Sequence, residues 1–263
     1  MLLLAGCQQV MRSQKTKNAD QSLQEKAYLH LRGRILSGNL APGTTISEAS
    51  IARELGNSRG PLREAVRRLT AEGFLRPAPN GGSAVVEFSR RDVAELYDLR
   101  EALEVYAAGR TAEHGLRPVE LEPLQHTVDD VLRLRDGLRA SDKPHLDAGG
   151  MKRFVRIDLQ FHTLLVGAAA NSRILKTVAD TRVLLHIFAI RRKGHDAEQL
   201  TQIHRYHSQV LASIAGRDVP GAMRLLGEHI RVSKEERLRE FDERDREIAL
   251  GHVLSDLYGG DLP

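Results

Sequence analysis

Tryptophan is absent from this 263-residue chain, cysteine occurs once, and aromatic side chains make up only 4% of it. A single cysteine excludes a disulfide framework and a Cys-based zinc cluster, and it agrees with a reducing, cytoplasmic compartment. Few aromatics beside a hydrophobic content of 41% point to a core of Leu, Ile, Val and Ala, the composition of a helical protein with few strands. No run approaches the ~18 apolar residues that a membrane span needs. The opening MLLLAGC ends like a lipoprotein cleavage site at Cys7, but its apolar stretch is too short for a secretory leader and carries no Lys or Arg. Met11, followed by Arg-Ser-Gln-Lys-Thr-Lys, is the expected start. Repeats and low-complexity segments are also missing.

What is present is unevenly charged. Residues 11–90 hold 13 Lys and Arg against 7 Asp and Glu, whereas residues 91–263 hold 26 against 28. Positive charge gathered in one part of a chain favours a polyanionic partner through counterion release.

Periodicity places the elements of that basic part. Tyr28, Leu31 and Ile35 share one stripe of a helix, and Gly38 supplies a left-handed cap where the stripe stops. After a turn over Asn39 to Gly43, Ser47 can cap a second helix carrying Ile51, Ala52 and Leu55, which Gly56 ends. Ser58 can cap a third, with Pro61 in its first turn and Leu62, Ala65, Val66 and Leu69 facing inward. Phe74-Leu75 and Ala84-Val85-Val86 then flank a hairpin from Pro77 to Ser83. This order is a winged helix-turn-helix. On its third helix Arg59, Arg63 and Arg67 recur at i, i+4 and i+8 on the outward face, where arginines can meet phosphates or grip a guanine edge with two hydrogen bonds. Elsewhere such a row would read as a solvated face; on the second helix of a tight helix-turn-helix it reads as a DNA contact surface.

Ser89, with Asp92 three residues on, opens a second part with a capping box. Helices are expected over roughly 91–114, 118–139, 151–169, 173–190, 197–215 and 219 to about 247, separated by Gly-, Pro-, Asn- and Ser-rich breaks. The segment Ile174 to Ile190 is apolar on most sides and is expected to be central. The fold class is therefore mostly α: an N-terminal winged helix-turn-helix joined to a C-terminal all-helical bundle. The expected divisions are a disordered extension at 1–22, the DNA-binding domain at 23–88, the bundle at 89–247 and a tail at 248–263.

Polar residues on apolar faces carry the chemistry of the bundle. Asp158 and His162 lie one turn apart on the helix bearing Phe154, Ile157, Phe161 and Leu165. His207 lies within the stripe of Leu200, Ile203, Val210, Leu211 and Ile214, and His229 among Ala222, Leu225, Leu226 and Val232. One core histidine is ordinarily a hydrogen-bonded core histidine. Four inward groups are harder to satisfy separately, because an unpaired buried Asp costs several kcal/mol. One divalent metal would neutralise it and accept lone pairs from three imidazoles, zinc being the first choice, with nickel, manganese and iron also suited. His204 falls off the stripe centre, and His186 reads as a core histidine. Arg182, on the apolar helix, marks an ion pair or an anion site. Two other readings share these residues: a metal-dependent hydrolase or oxygenase, for which no Asp or Glu is evidently placed as a general base, and a metal that only braces the bundle.

Long motifs carry a resemblance. Leu31-Arg32-Gly33-Arg34-Ile35-Leu36-Ser37-Gly38-Asn39-Leu40-Ala41-Pro42-Gly43, then Ala52-Arg53-Glu54-Leu55-Gly56-Asn57-Ser58-Arg59-Gly60-Pro61-Leu62-Arg63-Glu64-Ala65, then Leu69-Thr70-Ala71-Glu72-Gly73, closely resemble the amino-terminal domain of GntR-family bacterial transcription regulators. The resemblance implies that Arg59 and Arg63 contact DNA, that Gly60 and Pro61 abut its backbone, and that Gly81 or Gly82 reaches the minor groove. Asn57 and Ala49 depart from the pattern, so Ala49 is assigned no contact. Asp158-Leu159-Gln160-Phe161-His162, the His of His207-Ser208-Gln209-Val210-Leu211 and that of Gly227-Glu228-His229-Ile230 resemble the metal ligands of the FCD domain, the effector-binding half of the FadR subfamily. The likeness extends to Leu96 through Glu104, whose Arg100 becomes a candidate for gripping a carboxylate effector, with Arg182 as a second. It implies a non-enzymatic repressor: a homodimer on a two-fold-symmetric double-stranded operator, released by a small carboxylate such as an organic or sugar acid.

Overall fold

The computed structural model describes residues 23–56, 59–79, 81–189 and 194–258, with backbone only for Arg59, residues 186–189, residue 248 and residues 251–258. The expectations for residues 1–22, the Ser58 cap and the side chains of Asn57, Arg59 and His186 lie outside the described residues. The chain forms two compact units, the second opening at Phe88, and the last turn of its fourth helix, residues 186–189, groups with the first.

In the first unit, helix α1 spans residues 23–36. It buries Ala27, Tyr28, Leu31 and Ile35, one face at helical spacing, and the chain turns out of it at Gly38 with φ of 81°. Strand β1 (Thr45–Ile46) leads into α2 (Glu48–Glu54), where the Ser47 hydroxyl accepts from the Ser50 N–H. Helix α3 (Arg59–Ala71) buries Leu62, Ala65, Val66 and Leu69, and so turns Arg63, Arg67 and Arg68 outward. Strands β2 (Leu75–Pro77) and β3 (Ser83–Val85) pair antiparallel with Leu75 opposite Val85, and form the wing. Gly81 and Gly82, at φ of 84° and 80°, close its tip in a conformation that a Cβ would strain. Strand β1 was not expected. It adds a third strand through Thr45 opposite Ala84, and two residues are too few for alternation to reveal it. The Tyr28 hydroxyl donates to Glu72 at 2.8 Å, and the Arg68 guanidinium lies over the Tyr28 ring, which fastens α1 to α3.

The second unit is all helical: α4 (Arg90–His114), α5 (Pro118–Arg139), α6 (Ala148–Ala168), α7 (Ser172–Ala189), α8 (Ala197–Ala215) and α9 (Val219–Tyr258). Ser89 and Asp92 form the expected reciprocal cap on α4. Helix α4 packs along α9 and α6, α5 along α8 and α6, and α8 along α9. These helices enclose a core of Phe161, Leu165, Val166, Leu200, Val210, Ile214, Leu226 and Ile230.

Three expectations are corrected here. Helix α6 starts at Ala148 rather than 151, because Asp147 accepts from the Gly150 N–H at 2.8 Å and the two glycines form the first turn instead of a break. Helix α9 runs to Tyr258, through much of the stretch read as a tail; no proline interrupts residues 245–258, and apolar residues keep helical spacing there. Helix α7 is less central than its composition suggests. Through Leu185 it buries one stripe of Val178, Thr181, Arg182 and Leu185, leaves Val183 and Leu184 half-buried, and exposes the Lys176–Asp180 ion pair.

Candidate metal centre and nucleic-acid interface

Helix α6 presents Asp158 and His162 one turn apart, α8 presents His207 and α9 presents His229, and one ligand atom from each lies within 4.8 Å of the others. His207 Nε2 and His229 Nε2 are 3.2 Å apart. Asp158 Oδ1 stands 3.6 Å from His162 Nε2 and 3.7 Å from His207 Nε2. Donors bound at ~2.1 Å around one cation stand about 3 to 4 Å apart, so the cluster needs little adjustment to hold one. His162 and His207 are fully buried and His229 nearly so. Phe161 stacks on the His207 ring at 3.9 Å and 8°, and Tyr206 packs against His229, which limits how these imidazoles turn.

The donor chemistry fits a cation as well. His162 Nε2, which faces the cluster, is buried without a hydrogen-bond partner, a state that normally costs free energy. Burial, and then the neighbouring His162, push the His229 imidazole down to about 3. Burial, then His229 and His162, hold His207 well below its ordinary value. Both rings are therefore neutral with lone pairs available, the state that metal binding requires. Burial opposes the charge on Asp158, yet Arg182 and the contact with His162 hold its carboxyl well below the usual carboxylate range.

Behind the cluster, Glu104 on α4 is wholly buried. Arg100 Nε donates to its Oε1 at 2.8 Å, Arg182 Nη1 reaches both of its oxygens at 3.2 and 3.4 Å, and its Oε2 stands 2.6 Å from His162 Nδ1. Arg182 Nη2 pairs with the Asp158 carboxylate and also faces the Asp158 carbonyl at 3.4 Å. The structure thus engages Arg100 and Arg182 with Glu104 and Asp158, so an effector carboxylate would have to share or displace those partners. Sequence reasoning missed Glu104. In the fold Arg100 and Glu104 lie on one buried stripe with Val93, Tyr97, Ala107, Ala108 and Thr111, but in the sequence the pair reads as an ordinary i, i+4 ion pair. His204 is only half-buried and lies beside Ser208.

On the first unit, Arg63 and Arg67 are well exposed, each near an acidic neighbour: Arg63 Nε is 3.6 Å from Glu48 and Arg67 Nη1 is 3.2 Å from Glu64. Gly60, Gly81 and Gly82 are exposed. Nothing lies within 4 Å of a Cβ built on Gly60 or Gly81, so both leave room for close backbone approach. Pro61 is buried and shapes the start of α3 instead of facing outward. Among the described residues no helix is long and apolar enough to cross a membrane.

Comparison with known proteins separates the same two halves. Residues 23–85 match the bacterial regulatory proteins of the gntR family, and residues 95–232 match the FCD domain. A relative described as an uncharacterized HTH-type transcriptional regulator in an unstable DNA locus of Streptomyces ambofaciens is 31% identical over 206 residues, 78% of this chain and 80% of the relative. The gluconate operon transcriptional repressor of Bacillus subtilis (strain 168) is 30% identical over 188 residues, 69% of this chain and 72% of that protein. Among solved structures, E. coli McbR/YncC superposes with a TM-score of 0.65 at 20% identity over 83% of this chain and 98% of its own. A putative transcriptional regulator GntR from Rhodococcus sp. RHA1 gives 0.62 at 21% identity, over 82% and 98%.

Proposed function

The chain belongs to the GntR family of bacterial regulatory proteins and carries the FCD domain, which makes it a DNA-binding transcription regulator rather than an enzyme; from that premise we propose that it is a metal- and effector-responsive repressor. In this reading a homodimer in the cytoplasm sets two winged helices on a palindromic operator, and a small carboxylate bound in the helical unit releases it. The carrying observation is the convergence of Asp158, His162, His207 and His229 from three helices into one buried cluster. When bound there, a divalent cation, zinc by first choice, would supply open coordination positions for an oxygen ligand. Arg100 and Arg182 already balance Glu104 and Asp158. Any added cation therefore leaves the cavity net positive, which favours an anionic effector. The gluconate operon repressor is a relative, and it supports testing sugar acids first.

The test is operator affinity, read by fluorescence anisotropy on DNA footprinted beside the chain's own gene, with a panel of organic and sugar acids before and after chelation. One acid should weaken binding roughly 5- to 150-fold, the range of a coupling of about 1–3 kcal/mol, and chelation should remove the response. Operator affinity indifferent to every acid, in protein that loses thermal stability on chelation, would leave the metal as a brace and end the effector reading. The same assay checks the DNA surface: Arg63→Ala should cost about 1–3 kcal/mol per half-site with an unchanged circular dichroism spectrum, since Arg63 is exposed and only loosely paired. Undiminished binding would remove Arg63 from the interface.

A further inference from the structure

We propose that Glu104 is the positioning residue of the cluster: it holds the His162 proton on Nδ1, so that the Nε2 lone pair faces Asp158 and the other two imidazoles. The cation part of this rests on the metal reading above; the tautomer part stands by itself.

Charge and distance carry the argument. Glu104 Oε2 and His162 Nδ1 are 2.6 Å apart, and neither side chain is exposed. Two lone pairs at that separation repel, so the proton belongs on Nδ1, although its N–H is out of line for a full hydrogen bond. The carboxylate cannot swing away to relieve this. Its Oε1 accepts from Arg100 Nε at 2.8 Å and from Arg182 Nη1 at 3.2 Å, while Oε2 takes only the longer 3.4 Å contact from Arg182 and turns its shortest contact to His162. Two guanidinium groups, always charged, also keep it anionic.

With the proton fixed on Nδ1, His162 Nε2 is a bare acceptor, and the space it faces is that of Asp158 Oδ1 at 3.6 Å. Arg182 completes the arrangement by taking the other Asp158 oxygen, so one arginine on α7 aims two carboxylates, one at the cluster and one at a ligand of the cluster. A carboxylate behind a ligating imidazole fixes its orientation and raises its basicity, and loss of such a partner typically costs 10- to 100-fold in metal affinity. Among the described residues the carboxylate contact of His207 is made through Nε2, and none stands behind its Nδ1, so the ring whose tautomer a carboxylate sets from behind is His162.

Glu104→Gln is the discriminating variant. Its amide oxygen is claimed by the two arginines, so its NH2 is left to donate to His162 Nδ1, and the proton moves to Nε2, where it blocks the lone pair. Long-range 1H–15N spectra of histidine-labelled, metal-free protein should show the Nδ1–H form of His162 in the wild type and the Nε2–H form in Glu104→Gln. Zinc affinity, by competition with a chromophoric chelator, should fall 10- to 100-fold. An Nε2–H form in the wild type overturns the proposal without any variant, so a misfolded Glu104→Gln protein would not shield it. Unchanged zinc affinity in folded Glu104→Gln, beside a wild type that binds normally, removes the positioning role alone. A wild type that binds none of zinc, nickel, manganese or iron fails the metal reading instead, and with it the role of Glu104 toward a cation.

Discussion

Arg182→Met should destabilise the protein by about 3–5 kcal/mol, the usual cost of removing one partner from a buried charge group. Denaturant unfolding followed by circular dichroism is the measurement. Arg182 is nearly buried and contacts both Glu104 and Asp158. Methionine fills similar volume but leaves two carboxylates in the interior with Arg100 as the remaining guanidinium on Glu104. Exposed pairs set the contrast: Arg91 with Glu95 and Arg133 with Asp130 lie in water, so removing either arginine should stay within about 0.5 kcal/mol. Part of the Arg182→Met loss should return on adding zinc, because a cation at Asp158 replaces the missing positive charge there, whereas Glu104 gains nothing directly. A variant as stable as wild type would mean that the three charges are not packed as one unit.

That buried unit also shows where the sequence stops being legible. Helix-turn-helix and wing are written in local chemistry: Gly38, Gly43, Gly56, Gly81 and Gly82 sit where the backbone takes positive φ, and apolar spacing marks each inward face. The convergence of the four polar side chains was readable for the same reason, since Asp158 and His162 share a turn and His207 and His229 each interrupt an apolar stripe. Glu104 was not, because Arg100 and Glu104 look like any i, i+4 pair on a solvated helix face. Only tertiary packing shows that the face is buried and that Arg182, 78 residues along the chain, joins it. Similarly, Gly149 and Gly150 read as a break until the Asp147 cap turns them into a helix start, and the pairing of β1 with β3 joins segments almost 40 residues apart. For Glu104 and for β1 the deciding partner is remote in sequence; for Gly149 and Gly150 it is local, a cap outweighed in the sequence by two adjacent glycines.

Replacing His207 and His229 together by alanine should strip the protein of metal, as read by elemental analysis after purification. Two donors on one turn of α6, Asp158 and His162, remain, and the rings from α8 and α9 that close the site are gone. Stability supplies a second readout. A cation that binds only the folded state adds about 2.7 kcal/mol at 100 times its Kd and about 4.1 at 1,000 times, so a chelator should lower the wild-type melting temperature and leave the double variant unmoved. Acid supplies a third, with a definite sign. His229 is pushed down to about 3 and His207 well below its ordinary value, so between those values and about 6.5 the unfolded chain binds protons that the folded one refuses. Their contribution is fully present above pH ~6.5 and is lost as the pH falls, at about 1.4 kcal/mol per unit for each ring. Without the two rings, metal-free protein should lose stability less steeply between pH 6 and 4, by up to about 2.7 kcal/mol per unit. A full complement of metal in the double variant would put the cation elsewhere. An unaltered acid slope would mean that His207 and His229 are not neutral core residues, and the cluster would then lack the free lone pairs on which a cation depends.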